Sequence, residues 1–185
     1  VVVVANHPHG LSDGIMFGEL LTRVREDVRI LVNEQLSLCG ELDPWLIKVD
    51  VYEDENARRK NLSGMRKMIS WLRQGGVLGI FPAGTVSSFS LAHKRVTDDP
   101  WNANIAAIIR MTKATVVPVY FPGRNSLLFQ GISLINRKAR VAFLPREVGR
   151  DGRRTHRIVV GKPIPFSQLG PVSYTHLTLP TNSRV

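Results

Sequence analysis

The chain has 185 residues, 43% hydrophobic and 22% charged, and its 25 Lys and Arg against 15 Asp and Glu give a formal net charge of +10. This length fits one domain with a real core, and the single cysteine, Cys39, excludes an internal disulfide. No apolar run approaches the roughly 20 residues of a membrane-spanning helix, and no His/Cys cluster has metal-ligand spacing, so we expect no metal site. The positive charge favours anionic partners, whether nucleic acid, anionic lipid or an acidic carrier protein.

The chain begins with an apolar run, residues 1–5, that is typical of a buried strand ending at a polar, Gly/Pro-rich loop. This loop carries the imidazole of His7 and, six positions on, the carboxylate of Asp13. The pair suits a His that takes a proton from a weak nucleophile while an Asp fixes its tautomer. A second interpretation stays open from these residues alone, in which Asp13 only caps a helix beginning at Gly14 and His7 is an ordinary loop residue.

Strands and helices alternate along the rest of the chain. The patterns predict helices over residues 15–25, 55–73 and 101–111, strands over 28–32, 77–81, 115–121, 141–144 and 157–160, and a short extended segment over 45–51. This alternation predicts an α/β fold with a mostly parallel central sheet flanked by helices. Because functional residues of such sheets lie beyond the carboxyl ends of strands, the loops at His7, Pro82 and Pro122 are expected to meet along one edge.

Four short motifs follow one another along these segments. They are Asn6-His7-Pro8 with Asp13, then Val49-Asp50 with Asn56-Ala57 and Asn61, then Phe81-Pro82-Ala83-Gly84, then Val116-Val117-Pro118-Val119. From Val1 to about Leu169 the chain resembles the glycerolipid acyltransferase superfamily, with its PlsC-like fold. Further blocks resemble its hemolysin-like branch, which includes acyltransferases of ornithine-lipid synthesis: Asp99-Pro100-Trp101, Gly123-Arg124-Asn125-Ser126 and Arg146-Glu147.

The resemblance implies a direct acyl transfer from a fatty acyl thioester to the hydroxyl of a lyso-lipid. His7 would be the catalytic base, Asp13 would orient it, and backbone N–H groups near Gly14 would stabilise the oxyanion. The substrate-binding residues implied are Asn6, His9, Phe81, Pro82, Ala83, Gly84, Thr85, Pro118 and Arg124.

No cofactor or metal is implied, only acyl-ACP or acyl-CoA as co-substrate. The implied partners are the lyso-lipid acceptor and the membrane surface, with no nucleic acid and a peripheral location at the cytoplasmic face of the bacterial inner membrane. Candidate basic contacts for the anionic partner are Arg58-Arg59-Lys60, Arg137-Lys138 with Arg140, and Arg153-Arg154, although each is also compatible with a plain solvated face.

Two departures from the superfamily pattern concern the substrate. Five residues separate His7 from Asp13 where the wider superfamily has four, and the longer spacing resembles the hemolysin-like branch. Phosphate-acceptor members have Phe-Pro-Glu-Gly-Thr-Arg-Ser in the third block, whereas here Ala83 replaces the acid and Val86 the arginine. We therefore expect an acceptor without glycerol phosphate, such as a lyso-ornithine lipid. The alternatives are a 1-acylglycerol-3-phosphate acyltransferase, a catalytically inert membrane-binding relative, and a basic nucleic-acid-binding module.

The two ends of the chain are expected to differ from the acyltransferase domain, residues 1–171. The chain opens in mid-strand without a Met, so we expect the domain to lack its native N-terminus. The segment from Val172 onward resembles the translation of a sequencing-library adapter, so residues 172–185 are expected to be a non-native tail that packs on nothing.

Overall fold

A computed structural model of the chain describes residues 1–33, 40–49, 55–136, 139–151 and 155–169. Several predictions concern residues outside these ranges, or side chains within 55–61 that are not described. These predictions concern Cys39, the second-block residues Asp50, Asn56, Ala57 and Asn61, the cations Arg58, Arg59, Lys60, Arg137, Lys138, Arg153 and Arg154, and the expected tail 172–185.

The described elements alternate between strand and helix. In chain order they are β1 (Val2–Ala5), α1 (Leu11–Thr22), β2 (Val28–Asn33), β3 (Leu46–Val49), α2 (Glu55–Arg73), β4 (Val77–Ile80), β5 (Ser88–Ser90), β6 (Arg95–Thr97), α3 (Ala103–Thr112), β7 (Val116–Tyr120), α4 (Leu127–Ile135), α5 (Leu144–Asp151) and β8 (Val159–Val160). Short 3₁₀ helices span Gly40–Trp45, Ala139–Phe143 and Phe166–Gln168.

Within the described ranges, six strands form one sheet in the order β3-β2-β4-β1-β7-β8. The first five run parallel, and β8 pairs antiparallel with β7 at the edge. The predicted α/β fold with a mostly parallel sheet is therefore confirmed. Since β1 lies between β4 and β7, with Val4 opposite both Ile80 and Pro118, the loops that follow these three strands leave the sheet side by side.

The core explains why β1 reads as a continuous apolar run. Val2 and Val4 pack on one face of the sheet with Met68 of α2 and Ile108 of α3. The alternate residues of β1 pack on the other face, together with Phe17 of α1. A strand buried on both faces needs apolar side chains at every position, which is the pattern of a central parallel strand.

Two predictions about secondary structure are wrong. Residues 141–144 are not a strand, because the 3₁₀ helix Ala139–Phe143 leads directly into α5 there. A four-residue apolar run does not separate strand from buried helix, and Leu144 is buried against Val86 and Phe129 as a helical residue. Helix α1 also begins at Leu11 rather than at Gly14, so Gly10 takes the N-cap position and Asp13 lies in the first turn.

Candidate active site

The loops after β1 and β7 are fastened together by the side chain of Asn6. Its amide Nδ2 donates to the carbonyl of Phe121 at 2.8 Å, and its Oδ1 accepts from the Phe121 N–H at 2.7 Å. The side chain thus continues the sheet's hydrogen bonding one step beyond the strands. This bridge uses the amide of Asn6 to position the loops, whereas the resemblance implied that Asn6 binds substrate.

His7 is held at its backbone and at its ring. Its N–H donates to Oδ1 of Asp98 at 3.3 Å, and its carbonyl accepts from the Ser87 N–H at 2.8 Å. Its imidazole stacks on the ring of Phe81 with centroids 4.0 Å apart and planes 23° from parallel. His7 therefore has little freedom to change its position at the edge of the sheet.

The carboxylate of Asp13 lies beside the His7 ring. Oδ2 of Asp13 is 3.2 Å from Nδ1 of His7, an ion-pair distance, although the two groups lack the alignment of a hydrogen bond. Catalytic pairs commonly reach full alignment only when substrate binds. With Nδ1 turned toward Asp13, Nε2 is the ring nitrogen left to accept a proton.

Local sequence explains how Asp13 is fixed. Its Oδ2 accepts from the N–H groups of His9 at 2.6 Å and Gly10 at 3.1 Å, and its side chain is fully buried. As the third residue of α1 it also lies at the positive end of the helix dipole, which stabilises a carboxylate. Asp13 thus accepts hydrogen bonds at the start of α1 and also faces His7. The sequence left open whether Asp13 serves the helix or the histidine, and in the structure it contacts both.

The turn before α1 depends on Gly10. Its φ is +71°, in the left-handed region that favours glycine, and a Cβ there would lie 2.6 Å from Cδ2 of Leu144. The N–H of Gly14, expected near the oxyanion, instead donates to the Gly10 carbonyl at 3.3 Å inside α1. That expectation placed the helix start three residues too late.

Asp98 is a site residue that the sequence patterns did not single out. Besides the backbone of His7, its Oδ1 accepts a hydrogen bond from the Ser87 hydroxyl. Burial raises the pKa of the Asp98 carboxyl above its ordinary value of 3.8, against the opposing effects of the Ser87 and His7 hydrogen bonds, and nearby Asp13 adds to the rise. The available signal was the doublet Asp98-Asp99 before Pro100, of which only Asp99 fell within a block.

The third block forms the turn that supports His7. Phe81 supplies the stacked ring, and the carbonyl of buried Pro82 accepts from the N–H of Asn102 at 2.9 Å. Gly84, at φ +66°, donates its N–H to the Phe81 carbonyl at 2.9 Å and closes the turn, with Ala83 partly exposed within it. At position 83 this turn therefore carries a methyl group and no charge.

The side chains of the next two residues, Thr85 and Val86, make contacts within the protein. The Thr85 hydroxyl donates to Oδ2 of Asp99 at 2.6 Å. Val86 is buried in an apolar cluster with Phe129 and Leu144. Position 86 therefore supports the underside of the loop, and nothing at this position can pair with a phosphate.

Pro118 lies within the sheet, away from the loops. It is paired in register with Val4 inside β7, and its carbonyl accepts from the N–H of Gly161 at 2.8 Å. Pro118 is therefore placed inside β7 rather than in the loop that follows this strand.

His9 and Arg124 line a polar cleft of about 380 Å³ next to the His7 loop. Nε2 of His9 is 2.9 Å from the carbonyl oxygen of Pro122, and the His156 ring lies edge-on to the His9 ring at 5.1 Å. The other residues lining the cleft are Gly123, Asn125, Ser126, Leu127, Glu147 and Arg150.

The wall of this cleft is built by a buried acid. Glu147 of α5 accepts from the N–H of Ser126 at 2.8 Å through Oε2 and from its hydroxyl at 2.7 Å through Oε1. Arg150 lies 3.6 Å from the same carboxylate. Asn125 is buried, and in the described part of the chain neither polar atom of its side chain has a hydrogen-bond partner. The cleft thus combines exposed guanidinium groups with an amide of unused hydrogen-bonding capacity.

The described residues contain neither a metal-binding cluster nor a membrane-spanning helix. No group of three or more His, Cys, Asp or Glu side chains is arranged to hold a metal ion there. None of the described helices combines the length and the apolar character needed to cross a membrane.

Comparison with known proteins identifies the family of this chain. A family model described as Acyltransferase matches residues 1–175. The chain belongs to this acyltransferase family. Over 171 residues it is 28% identical to the lyso-glycine lipid O-acyltransferase of Bacteroides thetaiotaomicron and, equally, to that of Phocaeicola vulgatus. Each match covers 88% of the present acyltransferase chain but only 60% and 58% of those relatives, so the chain spans about three fifths of their length.

Proposed function

We propose that this chain is the acyl-transfer domain of a lipid O-acyltransferase, which moves a fatty acyl group from a thioester to the hydroxyl of a lyso-lipid. The observation that carries the proposal is the His7–Asp13 pair, 3.2 Å apart at the edge of the sheet. A hydroxyl is a poor nucleophile near neutral pH, and a positioned base increases its reaction rate by about 10²–10⁴-fold.

The reaction balances without a covalent enzyme intermediate. Nε2 of His7 takes the hydroxyl proton as the acceptor oxygen attacks the thioester carbonyl. The tetrahedral intermediate then breaks its C–S bond, and the leaving thiolate recovers the proton from His7. Asp13 stabilises the imidazolium that forms between these two proton transfers.

The donor in this proposal is acyl-ACP or acyl-CoA. The net charge of +10 favours both, because a carrier protein of this type is acidic and coenzyme A carries phosphates. The proposal includes a peripheral location at the cytoplasmic face of the bacterial inner membrane, where a soluble thioester and a lipid acceptor can meet.

The acceptor in this proposal is an amino-acid lyso-lipid without glycerol phosphate. The third block supports this choice, because Ala83 carries no charge and Val86 is buried in apolar surroundings. The two relatives from Bacteroides thetaiotaomicron and Phocaeicola vulgatus are named lyso-glycine lipid O-acyltransferases. A lyso-ornithine lipid shares the headgroup carboxylate, so both remain within the proposed class.

The cleft beside His9 is the proposed site of that carboxylate. Arg124 and Arg150 both line it, and a guanidinium can bind a carboxylate through two hydrogen bonds. The cleft and the catalytic pair share one loop, because His9 lines the cleft while its N–H donates to Asp13 at 2.6 Å. A bound headgroup would therefore lie beside the base.

Acceptor competition tests the proposal. The protein is given equal amounts of lysophosphatidate, lyso-glycine lipid and lyso-ornithine lipid, first with one acyl-ACP and then with one acyl-CoA, and the products are measured by mass spectrometry. We expect acylation of the amino-acid lipids. Preference for lysophosphatidate would refute the acceptor class, and no transfer from either donor would refute the activity.

A matched pair of variants tests the cleft. Arg124→Gln should raise KM for the amino-acid acceptor about tenfold or more, since a charge-assisted hydrogen bond contributes about 1.5–3 kcal/mol, with little change in kcat. Arg66→Gln, which changes another exposed arginine, on α2, should leave both constants unchanged. Equal behaviour of the two variants would remove Arg124 from the acceptor site.

A further inference from the structure

Helix α4 exposes several apolar side chains and buries two polar ones, the reverse of an ordinary surface helix. Its outward residues Leu127, Leu128, Leu134 and Ile135 are 76%, 48%, 49% and 89% exposed. The spacing of these residues, at i, i+1, i+7 and i+8, places them in one stripe. A surface helix normally points such a stripe at the core.

The inward face of α4 carries polar side chains instead. Gln130 and Ser133 are buried beside Phe129. Oε1 of Gln130 accepts from the N–H of Phe89 in β5 at 2.8 Å, and the Ser133 hydroxyl donates to the Phe129 carbonyl at 2.7 Å. Rotating the helix to hide its leucines would break the Phe89–Gln130 hydrogen bond and bring the fully buried Phe129 to the surface. The outward stripe is therefore built into the structure.

The β5–β6 hairpin lies beside α4 and also exposes an apolar side chain. It is joined to α4 by the Phe89–Gln130 hydrogen bond, and Leu91 at its tip is 73% exposed. Lys94 and Arg95, also exposed, follow directly in the chain. We name these exposed residues the α4 surface: Leu91, Lys94, Arg95, Leu127, Leu128, Leu134 and Ile135.

The two chain segments that carry the α4 surface contain basic residues but no acidic ones. The sequence contains no Asp or Glu from Gly84 to Thr97, or from Phe121 to Arg146. These two segments hold Lys94, Arg95 and Arg124 among their cations, and in the sequence Arg137 and Lys138 come just after α4. Apolar side chains interleaved with cations and free of acids are the composition of a surface that lies in an anionic lipid interface.

We infer that the α4 surface docks on an anionic lipid bilayer, with its leucines and isoleucine entering the boundary between headgroups and acyl chains. A purely apolar protein partner would explain the exposed leucines but not the absence of acids across both flanking segments. Since α4 begins directly after Ser126, at the cleft, docking would hold the cleft mouth at the bilayer. That last consequence rests on the proposed function, whereas the docking itself does not.

Vesicle binding tests the inference. The protein and a variant carrying Leu128→Gln, Leu134→Gln and Ile135→Gln are sedimented with vesicles of phosphatidylcholine alone or mixed with phosphatidylglycerol. We expect wild-type binding to the mixed vesicles, a loss of about tenfold or more in the variant, and weakening between about 50 and 500 mM salt. The control variant is Val24→Gln with Met111→Gln, which removes exposed apolar residues elsewhere and should bind like wild type.

The outcomes separate docking from catalysis. A triple variant that keeps the wild-type melting temperature and loses vesicle binding supports docking, whether or not acyl transfer is detected. If transfer occurs, the variant should lose turnover on acceptor embedded in vesicles and keep turnover on a dispersed short-chain acceptor. Equal sedimentation of wild type and variant would overturn the inference. So would a dimer of the wild type that the triple variant abolishes, because the α4 surface would then bind a second copy.

Discussion

At the scale of single residues, the site fixes a base before any substrate arrives. His7 is constrained through its N–H, its carbonyl, its ring face and its Nδ1, by Asp98, Ser87, Phe81 and Asp13 respectively. A base fixed in this way loses little conformational freedom when the transition state forms. The surrounding residues should therefore affect turnover more than substrate binding.

Asp13→Asn provides the first test of this expectation. The amide oxygen can still accept from the His9 and Gly10 N–H groups, so α1 should keep its start at a cost of about 1 kcal/mol. The negative charge that supports the imidazolium is lost, and kcat should fall by about 10²–10⁴-fold with KM nearly unchanged. A variant with wild-type kcat would show that Asp13 serves only the helix.

The contribution of Asp98 to the stability of the folded protein should depend on pH. Because burial raises its pKa in the folded protein, folding favours the protonated form of this carboxyl. Its contribution to stability is therefore fully present below the unfolded-state value near 3.8 and is lost as pH rises through the raised folded-state pKa. Asparagine does not titrate, so in Asp98→Asn this decrease in stability with rising pH should be absent.

The free energy of unfolding of Asp98→Asn, measured by urea against that of wild type, should shift in favour of the variant as pH rises from below 3.8. A difference between the two proteins that stays constant with pH would contradict the raised pKa. A difference that moves in favour of wild type would contradict its direction.

At the scale of elements, the turn from β1 into α1 determines where the pair sits. Gly10→Ala should lose about 1–3 kcal/mol of stability, because alanine is strained at φ +71° and its Cβ would approach Leu144. Gly14→Ala is the matched control, since nothing lies within 4 Å of a Cβ there. As a residue inside α1 it should gain about 0.5–1 kcal/mol. Thermal unfolding measures both, and equal effects would show that the turn tolerates other conformations.

The elements also show what sequence can and cannot predict. Strands β1, β4 and β7 were predictable because central strands of a parallel sheet appear as continuous apolar runs. Helix α2 was predictable because its buried face appears as a periodic apolar stripe. Helix α4 and the β5–β6 hairpin were not predicted, because α4 reverses the usual pattern and each strand of the hairpin has only three residues. The same limit produced the wrong strand at 141–144.

The residues of the site were also predictable only in part from the sequence. The sequence placed His7 and Asp13 in one loop, since only a few residues separate them. It did not single out Asp98 or His156, which reach the site from segments about 90 and 150 residues away. Nor could the sequence show that the Asn6 side chain links two loops by hydrogen bonds, because its partner is the backbone of Phe121 rather than a side chain.

At the scale of the whole molecule, the site forms only when distant segments are assembled. The Asn6–Phe121 bridge joins positions 115 apart in sequence. Asn6→Ala would leave a partly buried N–H and carbonyl without this partner and should cost about 2 kcal/mol, at about 1 kcal/mol for each hydrogen bond. Urea unfolding measures this cost, and a loss below about 0.5 kcal/mol would show that the loops hold together without the bridge.

The measurement that tests the central claim most directly is acyl transfer by His7→Ala. Wild type and variant are compared for transfer from one acyl thioester to a lyso-lipid, with circular dichroism and melting temperature establishing that the variant is folded. If His7 is the base, the folded variant should lose transfer by about 10²–10⁴-fold or more. A folded His7→Ala protein that turned over at the wild-type rate would contradict the account.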